Sequence, residues 1–233
     1  PLIDRAEEMK LLKEAVYRAV HGEGGLVFIH GEAGIGKTRL VNEFLALAMK
    51  MGARILSGWC LSEAAIAYFP FTQAFNNYIS TISDEKAKSS IKKQLGITGW
   101  LKGPEFARET KTRELLSTPE IERDRTFEAV AGVLLQQSAR EPLVLFLDDL
   151  QWADHLSLAL LHYLARKCRN SRLLIIGAYR PEELIRTKEE RLHPLEQTMF
   201  SMNREDLLIK MELNRLKLDD FPEFLRSIFR SSI

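Results

Sequence analysis

The sequence predicts an α/β fold in which a parallel sheet carries helices on both faces. Three observations predict it. The continuous apolar runs Leu26–Ile29, Leu143–Leu147 and Leu173–Tyr179 have the length and character of strands buried on both faces. Segments with apolar residues at helical spacing alternate with them, as in βαβ units. Between the first run and the helical segment after it stands a glycine-rich loop, Gly31-Glu32-Ala33-Gly34-Ile35-Gly36-Lys37-Thr38.

That loop has the G-x-x-x-x-G-K-[ST] spacing of a P-loop, and the strand before it and helix after it are the context the motif requires. Glycines at 31, 34 and 36 let the backbone turn its N–H groups inward, with no Cβ to block a polyanion. The helix starting near Lys37 adds unpaired N–H groups and its positive dipole end. Ala33, Ile35 and Arg39 complete the candidate phosphate-binding set with Gly31, Gly34, Gly36, Lys37 and Thr38. Lys37 has the reach for the β- and γ-phosphates, and the Thr38 hydroxyl suits Mg²⁺.

Residues 4–20 read as an amphipathic helix with Asp4 as N-cap and Leu11, Leu12, Ala15, Val16 and Val20 as its apolar stripe. Arg5 puts a cation at the wrong end of the helix dipole. The residues leave two readings open: a ligand contact, or a solvated surface arginine. After the P-loop helix, Ala53–Cys60 reads as a second strand. Pro70 then marks a break, with Thr72 as cap of a helix carrying Ala74, Phe75, Tyr78 and Ile79. Residues 83–119 are polar, lysine-rich and broken by Gly and Pro, and read as a solvated helical insertion before a partner surface. A helix over 120–139 follows.

Leu143-Val144-Leu145-Phe146-Leu147-Asp148-Asp149 is the second chemical landmark. A buried parallel strand ending in two acids delivers carboxylates to the sheet edge where open α/β folds bind ligands, the Walker B pattern. Asp148 would hold Mg²⁺ and Asp149 would orient and deprotonate a water. Asp154 reads first as the N-cap of a helix with Leu156, Leu160, Leu161 and Leu164 inward. Arg180 ends the Leu173–Tyr179 strand, where it would sense or neutralise a γ-phosphate. Residues 186–205 read as an exposed connector, residues 206–213 as an edge strand, and residues 216–233 as a last apolar helix.

Lys+Arg 33 against Asp+Glu 32 gives a net charge of +1. That balance offers no basis for direct nucleic-acid binding or an anionic membrane. No run reaches the ~20 residues of a membrane span, and Cys60 and Cys168 lack disulfide or metal spacing. These point to a soluble, cytoplasmic protein with buried free thiols. The start at Pro1 and the stop within a helical pattern suggest a fragment of something longer.

Here the residues resemble a known family. Ile3–Glu8 is similar to the hydrophobic-Gly-Arg-Glu-x-Glu motif of STAND-class ATPases, relatives of the AAA+ proteins, with Asp4 where the family has glycine. Leu147-Asp148-Asp149-Leu150-Gln151-Trp152-Ala153-Asp154 resembles the Walker B segment of the AAA ATPase domain of large LuxR-type transcriptional regulators and multidomain signalling cyclases and kinases. Ser157–Leu161 and Gly177–Leu184 continue the likeness. The resemblance implies a P-loop NTPase with a five-stranded sheet in order 5-1-4-3-2. It implies a core over 1–215 with 83–119 as a variable insertion, and a helical lid starting at 216–233. It also implies ATP/ADP and Mg²⁺ as cofactors, Arg5 beside the nucleotide base, and Arg180 as sensor. Asp149 replaces the glutamate common in AAA+ hydrolases, so turnover is expected to be slow.

The leading expectation is a regulatory ATPase switch that works with further C-terminal domains and self-assembles in the ATP state. A nucleotide-sensing interaction module without catalysis and an initiator-type DNA loader are the alternatives.

Overall fold

Five parallel strands form one sheet in the order β2-β3-β4-β1-β5. Read from the other edge this is 5-1-4-3-2, the order the resemblance implies. The strands are β1 (Gly25–His30), β2 (Arg54–Trp59), β3 (Leu143–Asp148), β4 (Leu173–Tyr179) and β5 (Leu208–Glu212). The computed structural model describes residues 5–62, 66–96, 118–184 and 192–215. Residues 97–117 of the expected insertion and the expected lid at 216–233 lie outside them.

Alternation along each strand divides the core into two layers. Val27, Ile29, Val144, Phe146, Leu174 and Ile176 face α1 (Ala6–Val20) and α2 (Lys37–Lys50), where Leu12, Val16, Leu40 and Phe44 meet them. Leu26, Phe28, Leu143, Leu145, Leu147 and Ile175 point the other way. They pack against α3 (Phe69–Thr81), α5 (Pro119–Arg140), α6 (His155–Cys168) and α7 (Pro194–Arg204). β4 is buried along its whole length, and β3 and β1 are buried except at their ends, which is why they read as unbroken apolar runs. β2 and β5 are the edge strands, and β5, largely exposed, pairs with β1.

Four expectations change. α3 starts at Phe69 with Pro70 in its first turn, not at Thr72. Proline suits the first turn, where its missing N–H is not needed, and the Thr72 hydroxyl instead donates to the Tyr68 carbonyl at 3.2 Å. The connector at 186–205 contains α7, whose Leu195, Met199 and Met202 are buried at helical spacing. His193 caps it: Nδ1 accepts from Leu195 N–H at 3.2 Å while Glu196 accepts from the His193 N–H at 3.0 Å. Leu156 is 38% exposed, while Leu160, Leu161 and Leu164 point inward as expected, joined by Ser157 and Leu158. Asp4 lies outside the described residues, and Arg5 is the N-cap residue of α1.

α4 (Glu85–Gly96) is the described part of the expected insertion, and Ile91 and Leu95 bury it against the core. Asp154 caps α6, accepting from Leu156 and Ser157 N–H at 2.9 and 3.0 Å. Cys60 and Cys168 are buried free thiols. No helix among the described residues is long and apolar enough to cross a membrane.

Candidate nucleotide-binding site

The carboxyl ends of β1, β3 and β4 bring the two landmarks together, because β4 lies between β1 and β3 in parallel register. The P-loop leaves β1 after His30 and enters α2 at Lys37. Gly34 and Gly36 adopt φ of 77° and 100°, the left-handed region a side chain resists. Gly31 serves differently. A Cβ there would stand 2.7 Å from the Leu213 carbonyl, so glycine is needed for close approach to the chain leaving β5. Gly36 is the N-cap residue of α2 and no side chain caps that helix, leaving its first N–H groups for another acceptor.

Lys37 is buried, and its ammonium donates to the Gly31 and Glu32 carbonyls at 2.6 and 2.9 Å. Burial lowers its pKa, opposed first by the Glu182 carboxylate and then by Asp148 and Asp149. Thr38 and Arg39 are exposed in the first turn of α2, and Ala33 is exposed in the loop. The Ala33 N–H donates to Glu182 Oε1 at 2.6 Å, so a carboxylate already sits on this loop. That contact shows one backbone donor of the loop turned toward an anion.

Asp148 ends β3, and its Oδ1 accepts from the Asp149 N–H at 2.9 Å. Burial and the neighbouring Asp149 charge push its carboxyl above the usual range, while Lys37 and Arg180 pull it back. Asp149 leaves the strand at φ 55°, which turns it away from the β3 axis. Its Oδ1 accepts from Gln151 Nε2 at 2.8 Å and faces Arg180 Nη2 at 3.3 Å. Arg180 follows β4, lies over the Trp152 ring at 5.4 Å, and gives its backbone N–H to Gln151 Oε1 at 3.1 Å.

Arg5 is 6% exposed, which rules out the solvated reading. Its guanidinium donates to the Asn214 carbonyl at 2.7 Å, the Ile35 carbonyl at 3.4 Å and Glu8 at 3.2 Å. It therefore ties α1 to the P-loop and to the chain after β5. Sequence reasoning did not single out Gln151 or Glu182. Both lie in segments already marked, three residues after Asp148 and two after Arg180, but Arg180 is 29 residues from Gln151 and Ala33 is 149 from Glu182. Among the described residues no group of three His, Cys, Asp or Glu side chains is placed to hold a metal ion by itself.

Comparison with known proteins adds the family. The chain is 24% identical over 197 residues to an uncharacterized protein of Rhizobium meliloti (strain 1021), covering 78% of this chain but only 19% of that protein. The Aeropyrum pernix Orc1 protein in complex with DNA aligns at 14% identity and TM-score 0.49, over 99% of this chain and 50% of that one. AMPPCP-bound DnaA from Aquifex aeolicus aligns at 15% identity and TM-score 0.46, over 97% and 51%. The family profile described as AAA ATPase domain matches residues 1–176, from α1 through the P-loop and β3 into β4, and the chain belongs to that family.

Proposed function

We propose that this chain is an ATP-binding, slowly hydrolysing switch module of a larger regulatory protein, of the STAND type. One observation carries the reading. The P-loop, the acid pair Asp148 and Asp149, and Arg180 share one edge of the sheet, with Lys37 within electrostatic reach of all three charged residues. Gly31, Ala33, Gly34, Ile35, Gly36, Lys37, Thr38 and Arg39 would hold the phosphates, and Arg5 would support the loop beside the base. The exposed Thr38 hydroxyl and Asp148 would hold Mg²⁺, with phosphate oxygens completing its shell. When bound, Mg²⁺ supplies positive charge to the phosphate oxygens.

In turnover, the Asp149 carboxylate takes a proton from water as the water oxygen bonds the terminal phosphorus. The bond to the bridging oxygen breaks, and ADP and phosphate leave. Asp149 reaches one methylene less far than glutamate and is already held by Gln151 and Arg180. Both features favour a state that keeps ATP, so nucleotide sensing with little catalysis is the second reading. ATP-dependent ordering of a lid over 216–233, self-assembly, and coupling to further C-terminal domains complete the proposal; the 19% share of the Rhizobium meliloti relative is in keeping with a larger whole.

Calorimetric titration with ATP and ADP in Mg²⁺, followed by a long phosphate-release assay, tests it. The switch reading expects binding of both nucleotides, phosphate release slower than about one turnover per second, and loss of binding in Lys37→Ala. Unchanged ATP affinity in Lys37→Ala would sink it. No phosphate release under any condition, with Asp149→Asn behaving like the parent, would select the sensing module.

A further inference from the structure

The turn after β4 sends two charged side chains to two different partners. Arg180 pairs with Asp149 at 3.3 Å. Two residues later, Glu182 accepts from the Ala33 N–H at 2.6 Å, a contact between residues 149 positions apart. Pro181 opens the single 3-10 turn, Pro181–Glu183, that carries Glu182. The turn is anchored at its start, where the Arg180 N–H donates to the buried Gln151, and closed on itself, where the Leu184 N–H donates back to the Pro181 carbonyl at 3.1 Å. Its exposed Glu182 side chain can leave Ala33 without moving that backbone.

The Glu182 carboxylate offers the loop what a phosphate offers: negative charge and oxygen acceptors. Its place in the site is set by its neighbours. Glu182 is the foremost charge acting on Lys37, ahead of Arg180, Asp148 and Asp149. The same carboxylate is held below the usual range by a backbone N–H of its own turn, by Ala33 N–H, and by Lys37 and Arg180. Glu182 therefore lies on the P-loop within electrostatic reach of Lys37, as the acid pair does.

We propose that Glu182 is an internal anion that competes with a terminal phosphate for the Ala33 N–H, and so sets the preference of the site between nucleoside tri- and diphosphates. The inference rests on the nucleotide-binding reading above and deepens it. A triphosphate takes the N–H and repels the carboxylate, which must swing off the loop. A diphosphate leaves the contact in place.

The test is calorimetric titration of the parent chain, Glu182→Gln and Glu182→Ala with Mg²⁺ and either ADP or a non-hydrolysable ATP analogue. Glu182 is on an exposed turn, so the fold should survive, and a urea unfolding curve for each variant checks this. Glu182→Ala is expected to bind the triphosphate roughly tenfold tighter, in line with loss of one charge-assisted competitor. Glu182→Gln should gain less in the same direction, and ADP affinity should change by less than about twofold. Unchanged or weaker triphosphate binding overturns the inference, as does an equal gain for ADP. If the parent chain binds neither nucleotide, the nucleotide reading falls and this inference with it. If it binds both and the variants match it, only the inference falls.

Discussion

Arg180 and Asp149 face each other across the ends of β4 and β3, guanidinium nitrogen to carboxylate oxygen 3.3 Å apart. Neither strand places them there unaided. Asp149 turns out of β3 at φ 55°. Arg180 is held by Gln151, which spans both residues, and by the Trp152 ring beneath its guanidinium. The acid and the cation that a terminal phosphate would meet are thus tied to each other first.

Gln151 is the buried clasp of this arrangement, 3% exposed, with both halves of its amide in use. Gln151→Leu removes both bonds and leaves the Arg180 N–H without its acceptor, an expected loss of about 1–3 kcal/mol. Gln151→Glu keeps an acceptor for that N–H but gives up the donor to Asp149, and should cost a different amount. Urea unfolding of both variants measures this. An unchanged midpoint for Gln151→Leu would mean that the clasp carries no stability.

Asp148 should make the nucleotide-free protein less stable than it could be. Its carboxyl is raised above the ordinary 3.8 by burial and by Asp149. A carboxyl raised on folding binds its proton more tightly in the folded state, so stability falls as pH rises from 3.8 through the folded value, and the deficit persists at neutral pH. Asp148→Asn removes the charge and can keep the bond from the Asp149 N–H. It should raise the melting temperature at pH 7 by roughly 2–4 °C, about 1 kcal/mol, while weakening Mg²⁺-dependent nucleotide binding. A lower melting temperature would contradict this.

The cap of α7 should be sensitive to acid. His193 Nδ1 must be unprotonated to accept from the Leu195 N–H. Burial lowers its pKa, with Glu196 opposing and His155 assisting. A histidine lowered on folding binds its proton more tightly when unfolded, so its contribution is full above 6.5 and is lost as pH falls through the folded value. His193→Asp supplies an acceptor that stays charged in this range and should flatten the decline between pH 7.5 and pH 5 by about 0.5–1 kcal/mol. His30 is also lowered by burial and acts equally in both proteins. Parallel denaturation curves at the two pH values decide; identical slopes would exclude a role for the cap.

Two glycines predict opposite signs. A Cβ on Gly58 in β2 would lie 1.8 Å from the Pro70 carbonyl oxygen, in backbone that cannot move without shifting α3. Gly58→Ala should cost more than about 3 kcal/mol or prevent folding. Gly132 is exposed within α5, and a methyl group added there would meet nothing within 4 Å. Gly132→Ala should therefore stabilise by about 0.5–1 kcal/mol. Thermal unfolding of the two variants checks both signs together.

What the sequence determined by itself is local. Strand runs such as Leu143–Leu147 announce burial on both faces because each residue meets a helix layer whichever way it points. The P-loop and the acids at 148 and 149 are legible because their chemistry needs fixed residue types at short spacing. The strand order came from resemblance, since periodicity carries no information about which strands are neighbours. α7 was hidden by the polar residues before it and by a histidine in the cap position, although Leu195, Met199 and Met202 keep helical spacing. The tertiary structure alone decided that Arg5 reaches Asn214, that Glu182 reaches Ala33, and that Gln151 holds Asp149 and Arg180 together. Apart from the local Gln151–Asp149 bond, these join residues brought side by side by the parallel crossovers of the sheet. A polar side chain's partner is fixed by which chain ends meet at that edge, and nothing in its own neighbourhood of the sequence encodes that.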